Sequence, residues 1–495
     1  MRFISIINGC VLAITLSMEA HTLDNYNKID LSTIQPQSDK FYTNPLNIKG
    51  IGDPFVLKSY DGKYYCYPTS ASDGYRVWTS TDAIYWKGLG KVYTTKPSSW
   101  AKAQFWAPEV VEYNGKYYMY YSARSTVEKI KGNMHIGVAV STSPAGPFLD
   151  EHNQPVFDYG YSVIDAHVFF DDDGKKYLYY SRDCSTNRVE NRNESHIYGI
   201  ELNDNMVSVK GEPVLLLKPE QHWEKPNYHT LWNEGPFMVK YKGTYYLMYS
   251  GQCYASRWYA VGYAVSQQPL GQFAKYPHNP ILAAEWDKVS GPGHHSVFLS
   301  PDGKEMFIAY HTHTDITKHG SNRQLCIDRM GFREDGTIYA NGPTLTPQPV
   351  PAGLSYRANI APNAVVTASS VNIAYSKEAV NDGEVTTLKR FEKHEWVSSV
   401  DDPEPWIQLE WEKEHIVDTI LIYPSILKQR KPSTAKLFFS NRTYIDNIFF
   451  PEEPGAAVII NLPDTRITWL KVVFEITNST STSCCGISEI TILGK

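Results

Sequence analysis

Short apolar, aromatic-rich runs separated by polar turn dipeptides recur along the first two-thirds of the chain. One phrase appears five times: Tyr60-Asp-Gly-Lys-Tyr-Tyr-Cys-Tyr67, Tyr113-Asn-Gly-Lys-Tyr-Tyr-Met-Tyr120, Asp172-Asp-Gly-Lys-Lys-Tyr-Leu-Tyr179, Tyr241-Lys-Gly-Thr-Tyr-Tyr-Leu-Met248 and Pro301-Asp-Gly-Lys-Glu-Met-Phe-Ile308. Asp-Gly or Asn-Gly between two such runs predicts strand, tight turn, strand, because the turn needs positive φ. The turn glycines Gly62, Gly115, Gly174, Gly243 and Gly303 stand 53, 59, 69 and 60 residues apart, which leaves room for two more strands per period. Five four-stranded units in series predict an all-β chain built on a five-bladed β-propeller. A sandwich would not explain the near-even spacing.

The repeat ends at a last hairpin, Arg333-Glu-Asp-Gly-Thr-Ile338, and Pro343, Pro347, Pro349 and Pro351 follow closely. Residues 343–358 therefore read as a linker after a propeller over 21–342. Beyond Asn359 the alternation persists without the phrase, as in Trp406-Ile-Gln-Leu-Glu-Trp411, Thr419-Ile-Leu-Ile-Tyr423 and Trp469-Leu-Lys-Val-Val-Phe474. A separate β-sandwich of jelly-roll type is expected over 359–495. At the other end, Met1-Arg2 followed by the mostly apolar stretch Phe3 to Ser17 predicts a secretory signal over residues 1–20. A secreted protein, periplasmic or extracellular, follows. No later apolar run reaches the ~18 residues of a membrane-spanning helix.

Composition narrows the function classes. With 42% hydrophobic and 20% charged residues the chain is globular, and a net charge of -6 offers no basic stripe for nucleic acid. Aromatics reach 13%, which suits pleated strands and also rings that stack on ligand faces. Seven scattered cysteines show neither zinc spacing nor a disulfide framework. A monomer is expected.

Counting back nine positions from each turn glycine gives Asp53, Trp106, Asp165, Glu234 and His294. In a propeller these strand starts meet at one mouth of the central channel. Their surroundings are apolar and rich in Pro and Gly, and buried charges need pairing, metal or catalysis. Several carboxyls round one pocket are the equipment of glycoside hydrolysis, where one holds a proton and another activates water. A structural cation on the axis is the alternative. Trp106 is either a sugar-stacking platform or a core aromatic, and Trp232 is similar. His167 and His295 adjoin these positions and are expected to pack on the opposite strand face. His311 and His313 lack a carboxylate or Cys at ligand spacing.

At these residues the chain resembles the family 43 glycoside hydrolases, inverting five-bladed propeller enzymes that act on arabinose- and xylose-containing polymers. The likeness runs through Gly52-Asp-Pro, Phe105-Trp-Ala-Pro-Glu109, Ile164-Asp-Ala, Asn233-Glu-Gly-Pro236 and Gly291-Pro-Gly-His-His-Ser-Val297. It implies Asp53 as general base, Glu234 as general acid, and Asp165 as the residue that raises and orients Glu234. It also implies His294 as the axial histidine, linked through water to a bound calcium or other ion, and Arg323 as a substrate contact. Ala166-His167 departs from the Pro-Ser of many relatives. The C-terminal region resembles discoidin-type (factor 5/8 C-type) sandwiches, which include family 32 carbohydrate-binding modules. That likeness rests on Val366-Thr-Ala-Ser-Ser370, Ala379-Val-Asn-Asp-Gly383, Pro405-Trp-Ile-Gln-Leu409 and Gly486-Ile-Ser-Glu-Ile490, and implies Asp382 and Glu489 as calcium ligands. Together the resemblances imply a secreted inverting exo-glycosidase of the α-L-arabinofuranosidase or β-xylosidase type acting on oligo- or polysaccharide. The long 69-residue period suggests an insertion around Asn187 to Ser195 that walls the pocket. An endo-arabinanase, a galactose-releasing enzyme and a non-catalytic carbohydrate-binding propeller are the alternatives.

Overall fold

A computed structural model describes residues 25–34, 38–125, 133–225, 229–284, 287–318, 320, 322–354, 357–476 and 484–495. The predicted signal segment lies outside the described residues. Five antiparallel units follow one another. The first pairs Gly52–Lys58, Tyr64–Thr69, Gly74–Ser80 and Lys87–Thr94 in chain order. The second pairs Ala101–Tyr113, Lys116–Ser125 and Met134–Ser141, with a Val140–Leu149 bridge in place of a fourth strand. The third consists of Val163–Phe170, Lys176–Arg182, Arg192–Leu202 and Val209–Leu217. The fourth comprises Thr230–Tyr241, Thr244–Gly251, Ala260–Ser266 and the short Ala274–Lys275. The fifth is Gly293–Leu299, Met306–His313, Arg323–Phe332 and Ile338–Ala340. The segment expected as an insertion instead pairs in parallel, Asn193–Ser195 against Thr230–Trp232, and joins the third and fourth blades.

The turns are less uniform than the repeated phrase predicts. Only Asn114-Gly115 and Lys242-Gly243 are two-residue turns with both residues at positive φ (50° and 71°, 47° and 81°). The other three hairpins use wider loops, in which Gly62, Gly174 and Gly303 close a turn back to Ser59, Asp171 and Ser300. Every first strand carries one extra residue at the same depth. The register shifts fall between Gly52 and Phe55, Trp106 and Glu109, Ile164 and His167, Glu234 and Phe237, and Gly293 and Ser296. At each bulge one residue is left-handed: Asp53, Ala107, Asp165, Gly235 and His294, with φ of 51°, 39°, 58°, 57° and 46°. A bulge re-aims side chains at the cost of ladder pairing.

Hydrogen bonds at this depth link each blade to the next. Thr69 Oγ1 accepts the Ala107 N–H (2.8 Å), Ser122 Oγ that of Asp165 (2.9 Å), Ser250 Oγ that of His294 (2.9 Å), and His311 Nδ1 that of Asp53 (3.2 Å). At the remaining junction the Gly235 N–H goes to Asp165 Oδ2 (3.1 Å). The fifth blade thus returns to the first, and the ring of bulges is closed. Tyrosines fill the seams between blades; Tyr67, Tyr75, Tyr93, Phe105 and Tyr121 pack between the first and second.

The C-terminal region is a second antiparallel unit with its own apolar core, including Trp396, Ile407, Leu409, Leu437, Leu470 and Ile490. Its two long strands, Trp406–Pro424 and Val458–Glu475, pair with each other and carry register shifts. The segment read as a linker is packed down: Gln348 and Pro349 are buried and pair with Tyr42 and Phe41. Asn27–Lys28, expected with the propeller, pairs instead with Thr443–Tyr444 of the C-terminal sheet. The Arg333–Glu384 ion pair (2.6 Å), nearly buried, ties the last blade to that region. Among the described residues no helix is long and apolar enough to cross a membrane.

Candidate active site

The bulges decide which side chains enter the channel mouth. Asp53, Asp165 and His294 occupy the left-handed position itself, whereas in the second and fourth blades that position falls to Ala107 and Gly235. Trp106 and Glu234 therefore stand one residue before the bulge. The tighter turns of those two blades shorten the strand end by one residue, which is why a uniform count of nine still reached them. A cavity of about 260 Å³ is lined by Asp53, Trp106, Asp165, Trp232, Glu234, His294 and Arg323 together, with Thr69, Asp183, Cys253 and Tyr254. All the residues expected at the propeller site thus meet in one place.

Asp53 is held ionised. Burial alone would raise its pKa, but the Arg323 guanidinium (Nη1 to Oδ1, 2.7 Å), His294 (3.4 Å) and the Thr69 hydroxyl (2.7 Å to Oδ2) outweigh it and hold the carboxyl well below the usual range. His311 lies 3.6 Å from the same carboxyl but is no ion-pair partner: burial keeps it neutral, and its Nδ1 already accepts the Asp53 amide. Glu234 is the opposite case. Burial and the neighbouring Asp165 charge push its pKa well above the usual range, and the opposing hydrogen bond from the Tyr259 hydroxyl (2.9 Å) does not compensate. Asp165 is raised to about 6, first by burial and then, against the lowering effect of His294, by Asp53. The site therefore pairs an ionised carboxylate with a protonated carboxyl, and a third carboxyl sits against the second. Such a pair can activate water with one group and protonate a leaving oxygen with the other.

Thr69, Asp183, Tyr254, Tyr259 and His311 were not singled out for the site by sequence. The first and last had a signal available, since they pair opposite Gly52 and Gly293 and so mark the second strand at bulge depth. His167 departs from the family pattern for a packing reason: its Nδ1 meets Glu109 Oε2 at 2.9 Å, both buried. His313 is likewise structural, between the Ser290 hydroxyl and the Tyr254 carbonyl.

Below the acids the axis narrows to a cavity of about 20 Å³ lined by Asp53, Glu109, Asp165, His294 and His295. Both ring nitrogens of His295 are buried without a partner. That volume matches one water, which needs polar partners of this kind. His294 lines this narrow space together with Asp53, Glu109 and Asp165, so water held there would stand between His294 and an axial ion. In the C-terminal region Asp382 and Glu489 do come together, Glu489 buried and Asp382 open to solvent. Burial first raises each, Asp382 to about 7, and each is in the other's field or that of Glu384. Glu489 Oε2 accepts the Gly383 N–H at 3.2 Å, while its Oε1 is buried without a partner. A hard cation fits this oxygen pair. A larger cavity, about 610 Å³, lies against Trp223, Trp258, Lys389 and Arg390 and contains none of the propeller acids.

A propeller with one ionised and one protonated carboxyl in a sugar-sized cavity defines a glycoside hydrolase. Residues 42–338 match the glycosyl hydrolases family 43, and the chain belongs to that inverting family. Residues 359–493 match a domain of unknown function, DUF7402. The chain is similar to the β-D-galactofuranosidase of Aspergillus niger, 29% identical over 338 residues, covering 63% of this chain and 90% of that protein. It is also similar to the extracellular exo-α-(1→5)-L-arabinofuranosidase of Streptomyces avermitilis, 27% identical over 320 residues, 60% of this chain and 62% of that protein. Among solved structures, a thermostable family-43 glycoside hydrolase is 46% identical with a TM-score of 0.60, covering 63% of this chain and 99% of that one.

Proposed function

We propose that the protein is an exo-acting glycosidase that releases terminal arabinofuranose or xylose from oligo- or polysaccharides. The observation that carries this reading is the 260 Å³ cavity, which has room for one sugar ring between Asp53 and Glu234. In this reading Asp53 takes a proton from the attacking water, and Glu234 gives its proton to the leaving glycosidic oxygen. Asp165 keeps that proton in place, and Arg323 holds Asp53 ionised. Trp106 and Trp232 offer ring faces to the sugar. Release of galactofuranose is a second reading, favoured by the Aspergillus relative, which this chain covers over 90% of its length.

The C-terminal unit is proposed as a discoidin-like sandwich with calcium at Asp382 and Glu489. Secretion is proposed from the residues 1–20 and from the Streptomyces relative described as extracellular. A panel of p-nitrophenyl α-L-arabinofuranoside, β-D-xyloside and β-D-galactofuranoside tests the activity. Proton NMR of the first-formed anomer should show inversion. No turnover on any of the three, or retention of configuration, would overturn the reading.

A further inference from the structure

Asp183 is a fourth carboxylate in the 260 Å³ cavity, and none of the roles above uses it. It follows the strand Lys176–Arg182 and is held in place from three sides. Its backbone N–H donates to Ser162 O at 2.9 Å. Its Oδ1 accepts the Ser185 amide N–H at 2.9 Å and the Ser185 hydroxyl, capping the turn Cys184–Thr186. One carboxyl oxygen thus fixes the orientation of the other. Among the described residues the remaining Oδ2 has one weak polar neighbour, the Cys184 thiol at 4.0 Å.

No cation balances this charge among the described residues. Arg182, next in the chain, is turned away, with its guanidinium over the Tyr161 ring (4.5 Å) and Nη2 bonded to Thr186 O (3.2 Å). The Asp183 carboxyl lines the same cavity as Asp165 and Glu234, and its Oδ2 is placed to meet whatever fills that cavity. An ionised carboxylate can only accept hydrogen bonds, so its missing partner is a donor. In a cavity sized for one sugar, that donor is a hydroxyl.

We propose that Asp183 is a specificity-determining residue whose Oδ2 accepts a hydrogen bond from one ring hydroxyl of the sugar bound between Asp53 and Glu234. This rests on the glycosidase reading above. A site built to receive a hydroxyl discriminates strongly against the analogue that lacks it, because the acceptor then loses its donor.

The test combines two variants with p-nitrophenyl α-L-arabinofuranoside and its three monodeoxy analogues. Asp183→Ser keeps a capping oxygen and deletes Oδ2; Asp183→Asn keeps the cap and the shape but removes the charge. The expected result is a loss of about 10- to 100-fold in kcat/KM on the parent glycoside in Asp183→Ser. One monodeoxy analogue, poorly cleaved by the wild type, should show no such further loss. Equal losses on the parent and all analogues, or no loss, would overturn the proposal and leave Asp183 as a turn cap. If the serine variant does not fold, the asparagine variant supports the same comparison. Wild-type inactivity on the parent glycoside and on the xyloside and galactofuranoside would instead count against the glycosidase reading itself.

Discussion

Asp165 Oδ2 accepts the backbone N–H of Gly235 at 3.1 Å, so the carboxyl is anchored to the residue directly after Glu234. At the other four blade junctions the equivalent amide is received by Thr69, Ser122, Ser250 or His311. Here Ser181 stands at the corresponding place but is 3.5 Å from the same Asp165 oxygen, and the carboxylate takes the amide itself. A structural link of the ring has thereby become an electrostatic element of the site. Asp165 cannot drift from Glu234 without breaking this hydrogen bond between the third and fourth blades.

Asp165→Asn tests this link. The neutral amide can still accept the Gly235 N–H, so the fold should hold. With the negative charge gone, Glu234 loses the strongest of the charges that raise its pKa alongside burial and releases its proton at lower pH. The alkaline limb of the kcat/KM profile should move down by about one pH unit or more, with little change in the acid limb. A profile that only falls in height would show that Asp165 does not act through the Glu234 proton.

Glu234→Gln and Asp53→Asn should differ in their dependence on the leaving group. Without the proton of Glu234, natural oligosaccharides should lose about 100-fold or more in rate, while aryl glycosides with good leaving groups lose far less. Asp53→Asn should damage both classes alike, because every substrate needs the activated water. Matching leaving-group dependence in the two variants would reverse or remove these roles.

The repeat made the propeller and the depth of the site legible from the chain alone, because a turn glycine recurs at a fixed distance from the channel. Four features were not legible. The phrase hides a difference in turn width, tight at Gly115 and Gly243 and wide at Gly62, Gly174 and Gly303, and only pairing register reveals it. The bulge that puts Asp53 in the left-handed region, yet leaves Glu234 one residue outside it, was equally invisible. Asp183 was missed because it lies in a loop, at no repeating offset. The packing of residues 343–358 was missed because Pro-rich composition reads as linker, although Gln348 pairs with Tyr42 and meets the Tyr423 hydroxyl at 3.3 Å.

The calcium site proposed at Asp382 and Glu489 predicts a C-terminal region that responds to pH and calcium. Asp382 is raised to about 7, well above its value in an unfolded chain. Between pH 4 and 7 the folded state then holds a proton that the unfolded state has released, so stability should fall as pH rises through this window. In the proposed site calcium would replace the protons. The unfolding temperature should therefore drop from pH 5 to pH 7.5 in EDTA and recover on adding calcium at pH 7.5, with little calcium effect at pH 5. Asp382→Asn should abolish the calcium response. A calcium shift that is unchanged in this variant would place the ion elsewhere.

Gly52 controls Asp53 through Arg323. A Cβ on residue 52 would stand 2.0 Å from Arg323 Cζ, so Gly52→Ala must displace the guanidinium. The side chain is flexible and partly held over the Tyr254 ring at 4.9 Å, so it can swing aside and the fold should survive. The 2.7 Å contact to Asp53 would be lost, and with it the strongest charge that opposes burial. Asp53 should then bind its proton at higher pH, and the acid limb of the kcat/KM profile should rise by about one to three pH units. The alkaline limb, set by Glu234, should stay where it is. Activity at neutral pH should fall less than activity near pH 5, and an unfolding temperature close to that of the wild type would exclude a general packing defect. If the plateau drops while the acid limb does not move, Arg323 acts on the substrate directly and Asp53 is held ionised by His294 and Thr69 instead.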